Sequence, residues 1–437
     1  MKEIKIKDNY TYIEYDSDAL MFYYLDKYLK AGYIITDSIF LCVELSKNNN
    51  FILLSYTSIL NPDEHIKDKI RELEKSYELS YPNYNDTLLN VISAIRANYG
   101  YSHKYSPNPN VFDRKYGKVI ILILDGMGEV ILNRNFKEDS FIRSHYAFSV
   151  SSIYPSTTAA ATTSIKSGLS PIESGWTGWE NYIREINRNV ILFTGVNYFN
   201  DEPTGILPFK YIPYNMFYKD MDIKGYCIEP DFSKPKHDIN DVLKESIRIN
   251  KLNEKQVQYV YYTEPDSIMH EFGADSQSAI DICSELDKKV EEYASKLSSD
   301  TLLIISADHG HLNVKEIAFY ACKPILDLLN RRPSNDSRCI TFSVKKNKHK
   351  EFEKIFNALF SSVYKLYKAS DAISLGFFGA SDDIINPRCD DFLGDYVAVA
   401  ISNYYLNYKG EDSFSFKSHH AGITADEMRV PICLVRR

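Results

Sequence analysis

Three aspartates in this chain stand where aliphatic runs end. Asp125 closes KVIILIL, Asp266 follows QVQYVYYTEP, and Asp308-His309 follows DTLLIISA. His270 lies four residues after Asp266, a spacing that puts both on one helix face. His419 and His420 stand side by side near the C-terminus, before a short helical stretch and a last apolar run. Taken singly, a strand-end Asp is more often a turn residue, and a His-His pair is more often a surface feature. The signal is their recurrence, each at the end of an apolar run or the start of a helix. Carboxylates mixed with imidazoles suit borderline divalent cations, with zinc expected and manganese the alternative. Two such cations can clamp the attacking and leaving oxygens of a phosphoryl group.

That chemistry needs a nucleophile. The stretch PSTTAAATTSIKSG, residues 155–168, sets four threonines around three alanines directly after a proline. Ser and Thr cap helices and Ala extends them, so the composition alone reads as a helix start. The hydroxyls are also the chain's densest supply of nucleophiles.

The elements that must position these groups are legible in outline. KVIILIL and its two counterparts lack polar alternation, as central parallel strands covered on both faces do. Helical segments such as SQSAIDICSELDKKVEEYASKLSS lie between them. Strand alternating with helix predicts an α/β fold with a doubly wound, mostly parallel sheet and helices on both faces. In such a sheet ligands collect beyond the carboxyl ends of the strands, so Asp125, Asp266 and Asp308-His309 are expected to converge. Residues 333–408 interrupt the alternation and read as an inserted α+β cap, within a core of 79–332 and 409–437. Residues 1–78 read as a small N-terminal α+β accessory domain. In it FLCVELSK and NFILLSYTSIL form a hairpin about KNNN, and DEHIKDKIRELEKSYEL follows as a helix.

Bulk properties narrow the class. The 437 residues are 44% hydrophobic and 25% charged, ordinary for a globular protein. A net charge of −8 does not indicate nucleic-acid binding, though it leaves room for a local basic groove. No apolar run reaches the roughly 20 residues of a membrane span. The charged start MKEIKIKDNYTYIEYD has no apolar signal region. Seven scattered cysteines without a close pair suggest reduced thiols, and a cytoplasmic location is expected.

The segments ILDGMG, PSTTAAATTSIKSGLSPIESG, EPDSIMHEFG, SADHGH and HHAGITADEMRVPI resemble, in order, the motifs of the alkaline phosphatase superfamily. The nearest branch is the type I phosphodiesterase/nucleotide pyrophosphatase group. The resemblance spans about residues 118–322 and 390–437. It implies an alkaline phosphatase-like core with two metal sites, one from Asp266, His270 and His420, the other from Asp125, Asp308 and His309. It also implies a nucleophile ten residues before Gly168, which is Thr158, with Thr157 the neighbouring alternative. His420 is preferred to His419 because His420-Ala421-Gly422 resembles the family's His-Gly-Gly. Thr158 would then sit at a helix N-terminus, where free N–H groups favour an anion.

The implied reaction is hydrolysis of a small phosphodiester or nucleotide, with a threonine nucleophile and two divalent metals. The family's oxygen-binding Asn has no clear counterpart: its place falls near Trp179, with Asn181 two residues on. Arg184 is the nearest cation by sequence that a monoester would need. Trp176, Trp179 and Tyr182 offer flat faces for a base or sugar, although large aromatics more often simply bury. The alternatives are a phosphomonoesterase, a phosphonate hydrolase or a phosphosugar mutase on the same core. A non-catalytic binding module of a larger assembly is the alternative outside enzymes.

Overall fold

In the computed structural model, the described residues are 1–7, 9–56, 77–233 and 237–437. The expected helix over 63–79 falls almost wholly outside them. The central sheet has six strands: β1 (Lys118–Leu124), β2 (Tyr146–Ser151), β3 (Lys224–Ile228), β4 (Gln256–Tyr262), β5 (Thr301–Ser306) and β6 (Arg429–Arg436). Their order is β3-β4-β1-β5-β6-β2. The β3/β4, β4/β1 and β1/β5 pairs are parallel, and β6 alone is reversed, antiparallel to both β5 and β2. β1, β4 and β5 are buried nearly end to end, as strands covered on both faces must be.

Register then fixes the site. Tyr262 pairs with Leu124 and Ser306 with Ile123, so the three strands end level at one edge. The backbone ladder continues past them, with Asp125 N–H donating to Tyr262 O at 3.0 Å and Asp266 N–H to Asp125 O at 3.1 Å. Two helices start at this edge, α1 (Thr158–Ser167) and α2 (Asp266–Phe272). Every residue of α1 is buried, and it ends at Gly168, whose φ of 74° is the left-handed stop glycine tolerates. The small Ala, Ser and Thr side chains let this helix sit inside the core. Two of its hydroxyls bond back one turn, Thr162 Oγ1 to Thr158 O and Ser167 Oγ to Thr163 O, both at 2.7 Å.

The cap is a six-stranded antiparallel sheet, but its membership differs from the expectation. Besides strands from 334–400, it takes the hairpin Glu180–Ile183 and Arg188–Ile191 out of the expected core span. These short strands carry too few apolar residues to announce themselves. The N-terminal hairpin is as expected, Cys42–Lys47 antiparallel to Asn50–Tyr56, with Asn48 and Asn49 at positive φ in the turn. It belongs to a five-stranded sheet that does not form a core of its own. Phe22, Leu45 and Leu54 share one hydrophobic cluster with Phe342, Phe356 and Phe360 of the cap. Cap and N-terminal sheet are one packing unit on these contacts.

Candidate active site

At the sheet edge, side chains from β1, β4–α2, β5 and the segment before β6 gather into two groups of donors. The first is Asp125, Asp308 and His309; the second is Asp266, His270, His420 and His311. In the first, His309 Nε2 lies 3.2 Å from Asp125 Oδ1 and 3.5 Å from Asp308 Oδ2. Both of those carboxylate oxygens are buried with no hydrogen-bond partner. Buried carboxylate oxygens are otherwise paired. Donors about 3.3 Å apart suit a shared tetrahedral cation with bonds near 2.0 Å, so the residues fit a metal. Burial drives the Asp125 and Asp308 carboxyls above their usual range, and repulsion from neighbouring carboxylates adds to it, from Asp266 on Asp125 and from Asp125 and Asp266 on Asp308. Burial alone would lower His309, but the two carboxylates overcome it and raise the ring to about 10.

In the second group Asp266 Oδ1 lies 3.4 Å from His270 Nε2 and 3.6 Å from His420 Nε2. The Nδ1 atoms of His270, His309 and His420 each meet a backbone carbonyl, those of Ser418, Gly310 and Ser156, at 2.9–3.0 Å. That contact fixes the tautomer and leaves Nε2 free to ligate. Burial lowers His420 well below its ordinary pKa, which keeps the ring neutral.

Thr158 stands against the first group and lines a cavity with residues of the second. Its Oγ1 is 3.1 Å from His309 Nε2 and 3.5 Å from Asp125 Oδ2. Thr157 instead donates to Asp336 Oδ2 at 3.1 Å. His419 is likewise occupied, with Nε2 against Ser337 Oγ at 2.7 Å and Nδ1 accepting from His420 N–H. Thr158 and His420 are therefore the members of each pair that face the clusters.

Two cavities meet at Thr158. One, of about 240 Å³, is lined by Asp266, His270, Tyr198, Asp336 and Trp179. The other, of about 530 Å³, runs past Asp125, Thr162, Phe193 and Phe209 to Lys166 and Glu229. Trp179 lines both. Asn181 and Arg184, also expected to bind substrate, line neither cavity. Asn181 is buried, accepting from Thr177 Oγ1 and donating to Gly175 O at 3.1 Å each. Arg184 is turned to solvent and paired with Asp391. Both sit on the hairpin that pairs into the cap sheet. Trp176 is buried, its indole N–H donating to Ile212 O at 3.0 Å.

Two residues were not anticipated. His311, two residues after His309, places Nε2 only 2.6 Å from Asp266 Oδ1. That is hydrogen-bond spacing, shorter than the 3.4–3.6 Å of His270 and His420 to the same oxygen. Its Nδ1 meets Ser418 Oγ at 2.9 Å. His311 thus orients the carboxylate that the other two rings surround. The second histidine of DHGH was its signal. Lys166 lies two turns below Thr158 on one face of α1 and pairs with Glu229 at 3.1 Å. The i, i+4, i+8 series Thr158, Thr162, Lys166 could have revealed it.

Residues 119–422 match the type I phosphodiesterase/nucleotide pyrophosphatase family, and the chain belongs to it. The fold is alkaline phosphatase-like. It is shared with murine ectonucleotide pyrophosphatase/phosphodiesterase 5, solved inactive in complex with AMP, at 15% identity and a TM-score of 0.55, over 72% of this chain and 87% of that one. It is shared too with phosphonoacetate hydrolase from Sinorhizobium meliloti 1021 in complex with phosphonoformate, at 14% identity and a TM-score of 0.56, over 75% and 92%. No curated protein sequence matches the chain.

Proposed function

We propose that this protein hydrolyses small phosphodiesters of the nucleotide or nucleotide-pyrophosphate kind, with Thr158 as nucleophile and two divalent cations, zinc foremost. The observation that carries the reading is the position of Thr158 Oγ1, 3.1 Å from His309 and open to both cavities. Asp125, Asp308 and His309 would hold one cation, and Asp266, His270 and His420 the other. When bound, the cations supply Lewis acidity that makes a hydroxyl nucleophilic and neutralises phosphoryl oxygens.

The chain's own residues do the rest. Asp125 and His309, which would hold the cation, lie against Thr158 Oγ1 at the start of α1, where unpaired N–H groups favour the phosphoryl oxygens. Oγ1 gives up its proton to solvent and forms a bond to phosphorus as the bond to the leaving oxygen breaks; the leaving oxygen takes a proton from solvent and departs as the alcohol or phosphate, and a phosphothreonine ester remains. Water then attacks the same phosphorus and loses a proton, and the bond to Oγ1 breaks as Oγ1 regains one to restore Thr158. Two in-line displacements give net retention at phosphorus. Trp179 offers a flat face to the non-transferred group in either cavity.

Diester is favoured over monoester by the lining of the cavities. Lys166 is the one Lys or Arg among the residues that line them, and Glu229 neutralises it. A monoester dianion would meet no further cationic side chain there. The scattered cysteines, with no close pair in the sequence, support a reducing, cytoplasmic setting, and among the described residues no helix is long and apolar enough to cross a membrane. The test is turnover by the metal-loaded protein of bis-p-nitrophenyl phosphate against p-nitrophenyl phosphate. Faster release from the diester is expected; release from the monoester alone would overturn the assignment.

A further inference from the structure

A second cleft lies behind the site, at the cap edge strand Arg188–Ile191. It is about 510 Å³ in volume and brings together residues 182–189, 197–200 and 330–332. Tyr198 lines the metal-side cavity and Phe199 lines this one, so the two are back to back. Nothing in the hydrolytic reading uses it.

Its lining contains three arginines, Arg188, Arg331 and Arg332, and no carboxylate. Among the described residues none of the three forms an ion pair. In a chain of net charge −8 such a concentration of unpaired cations is unexpected. Two of the guanidiniums are held in place. Arg331 lies 3.9 Å over the ring of Tyr182 and Arg332 4.3 Å over that of Phe199. Stacking orients the planar forks and leaves N–H edges to the cleft. Arg331 also donates to the backbone carbonyl of Asp391. Burial lowers its pKa, which is the cost of a guanidinium with no anion beside it. The carboxylates that act on it, Asp391, Glu180 and Asp395, are outside the lining.

Three of the five lining asparagines reinforce the pattern. Asn187 Oδ1 accepts from Tyr182 O–H at 3.0 Å, Asn197 Oδ1 from Phe199 N–H at 3.1 Å, and Asn200 Oδ1 from Glu202 N–H at 3.3 Å. In each the acceptor end is used within the protein, which leaves the NH₂ end for a ligand. Asn189 and Asn330 instead spend their NH₂ ends within the protein, so the donors offered to the cleft are the three guanidiniums and three of its five amides. A ligand that satisfies them must consist of acceptors and carry negative charge. Bidentate guanidinium donors match phosphoryl oxygens. Donors on three separate segments around a cleft of this size exceed what one phosphoryl group can meet.

We infer that this cleft binds a small anion carrying adjacent phosphoryl groups, at a site separate from the hydrolytic centre. The assignment does not depend on Thr158 or on metal, so the test is made where turnover is blocked. Metal-loaded protein carrying Thr158→Ala is titrated with inorganic pyrophosphate by calorimetry, and compared with the same protein carrying Arg188→Glu and Arg332→Glu. Both arginines are exposed, so an unchanged melting temperature is the check that the variant is folded. The expected result is a binding event that weakens at least about tenfold in the charge-reversed protein and falls with added salt. Identical titrations of the two proteins would overturn the inference, as would no binding to either. Equal affinity for citrate would overturn the phosphoryl assignment. None of these outcomes bears on diester turnover, so the two readings fail separately.

Discussion

The two halves of the candidate metal centre are built differently. The half around Asp125, Asp308 and His309 is the more nearly sealed, reaching a cavity only at Asp125: two carboxylates oppose one imidazole, two oxygens lack any partner, and Thr158 is the hydroxyl at its edge. The half around Asp266, His270 and His420 is richer in imidazole and borders a cavity, with the Asp266 and His270 side chains 13% and 17% exposed. The first concentrates negative charge where water cannot relieve it, so its need for a cation is the greater. The second trades charge for access. That contrast suggests a division of labour in which the sealed half presents the nucleophile and the open half meets the leaving oxygen and water.

The largest expected effect tests whether the sealed half owns the nucleophile. Thr158→Ala should cut diester turnover at least about 1,000-fold while metal content stays near two equivalents. Steady-state kinetics with elemental analysis checks both. Thr158→Ser should recover part of the rate. Next comes the asymmetry in affinity. Asp308→Asn and Asp266→Asn should each remove one equivalent of metal, and graded chelation of the unmodified protein should empty the open half first. Equal loss from both halves would remove the contrast.

A smaller effect is expected at His311, which acts through Asp266. His311→Leu should weaken metal binding at the open half by about 10- to 100-fold. His311→Gln keeps a donor and should retain more. Metal affinity and the absorption of cobalt-substituted protein separate this role from direct ligation, which would change the ligand set. Trp179→Ala should raise KM about tenfold with kcat nearly unchanged, if the ring only binds the non-transferred group.

The smallest effect lies away from the centre. Burial raises the Glu180 carboxyl from 4.5 to about 8. The folded state therefore holds a proton that the unfolded state releases, and this contribution is lost as pH rises from about 4.5 through about 8. Glu180→Gln should flatten that decline, as melting temperatures at pH 5 and pH 8 would show.

The legible parts of the molecule were those with a strong local cause. Fully buried parallel strands must be aliphatic, so KVIILIL and its counterparts announced the sheet and the placement of Asp125, Asp266 and Asp308 at its edge. A four-residue cap strand such as Glu180–Ile183 is held by pairing with Asn335 and Arg188–Ile191, partners distant or unremarkable in sequence. That pairing sets Asn181 and Arg184 apart from the two cavities, a placement their spacing in sequence did not reveal. The basic cleft was hidden for a similar reason: its arginines come from segments about 140 residues apart, and net charge averages them away. His311 was overlooked because a ring that supports a ligand has the same residue type as a ligand, and only its shorter distance to Asp266 separates the two.

The account turns on a covalent step at Thr158, and the stereochemical course at phosphorus tests that step most directly. With a phosphodiester made chiral at phosphorus, hydrolysis by the metal-loaded protein should proceed with net retention. Inversion would mean direct attack by water and would contradict the assignment of Thr158 as nucleophile.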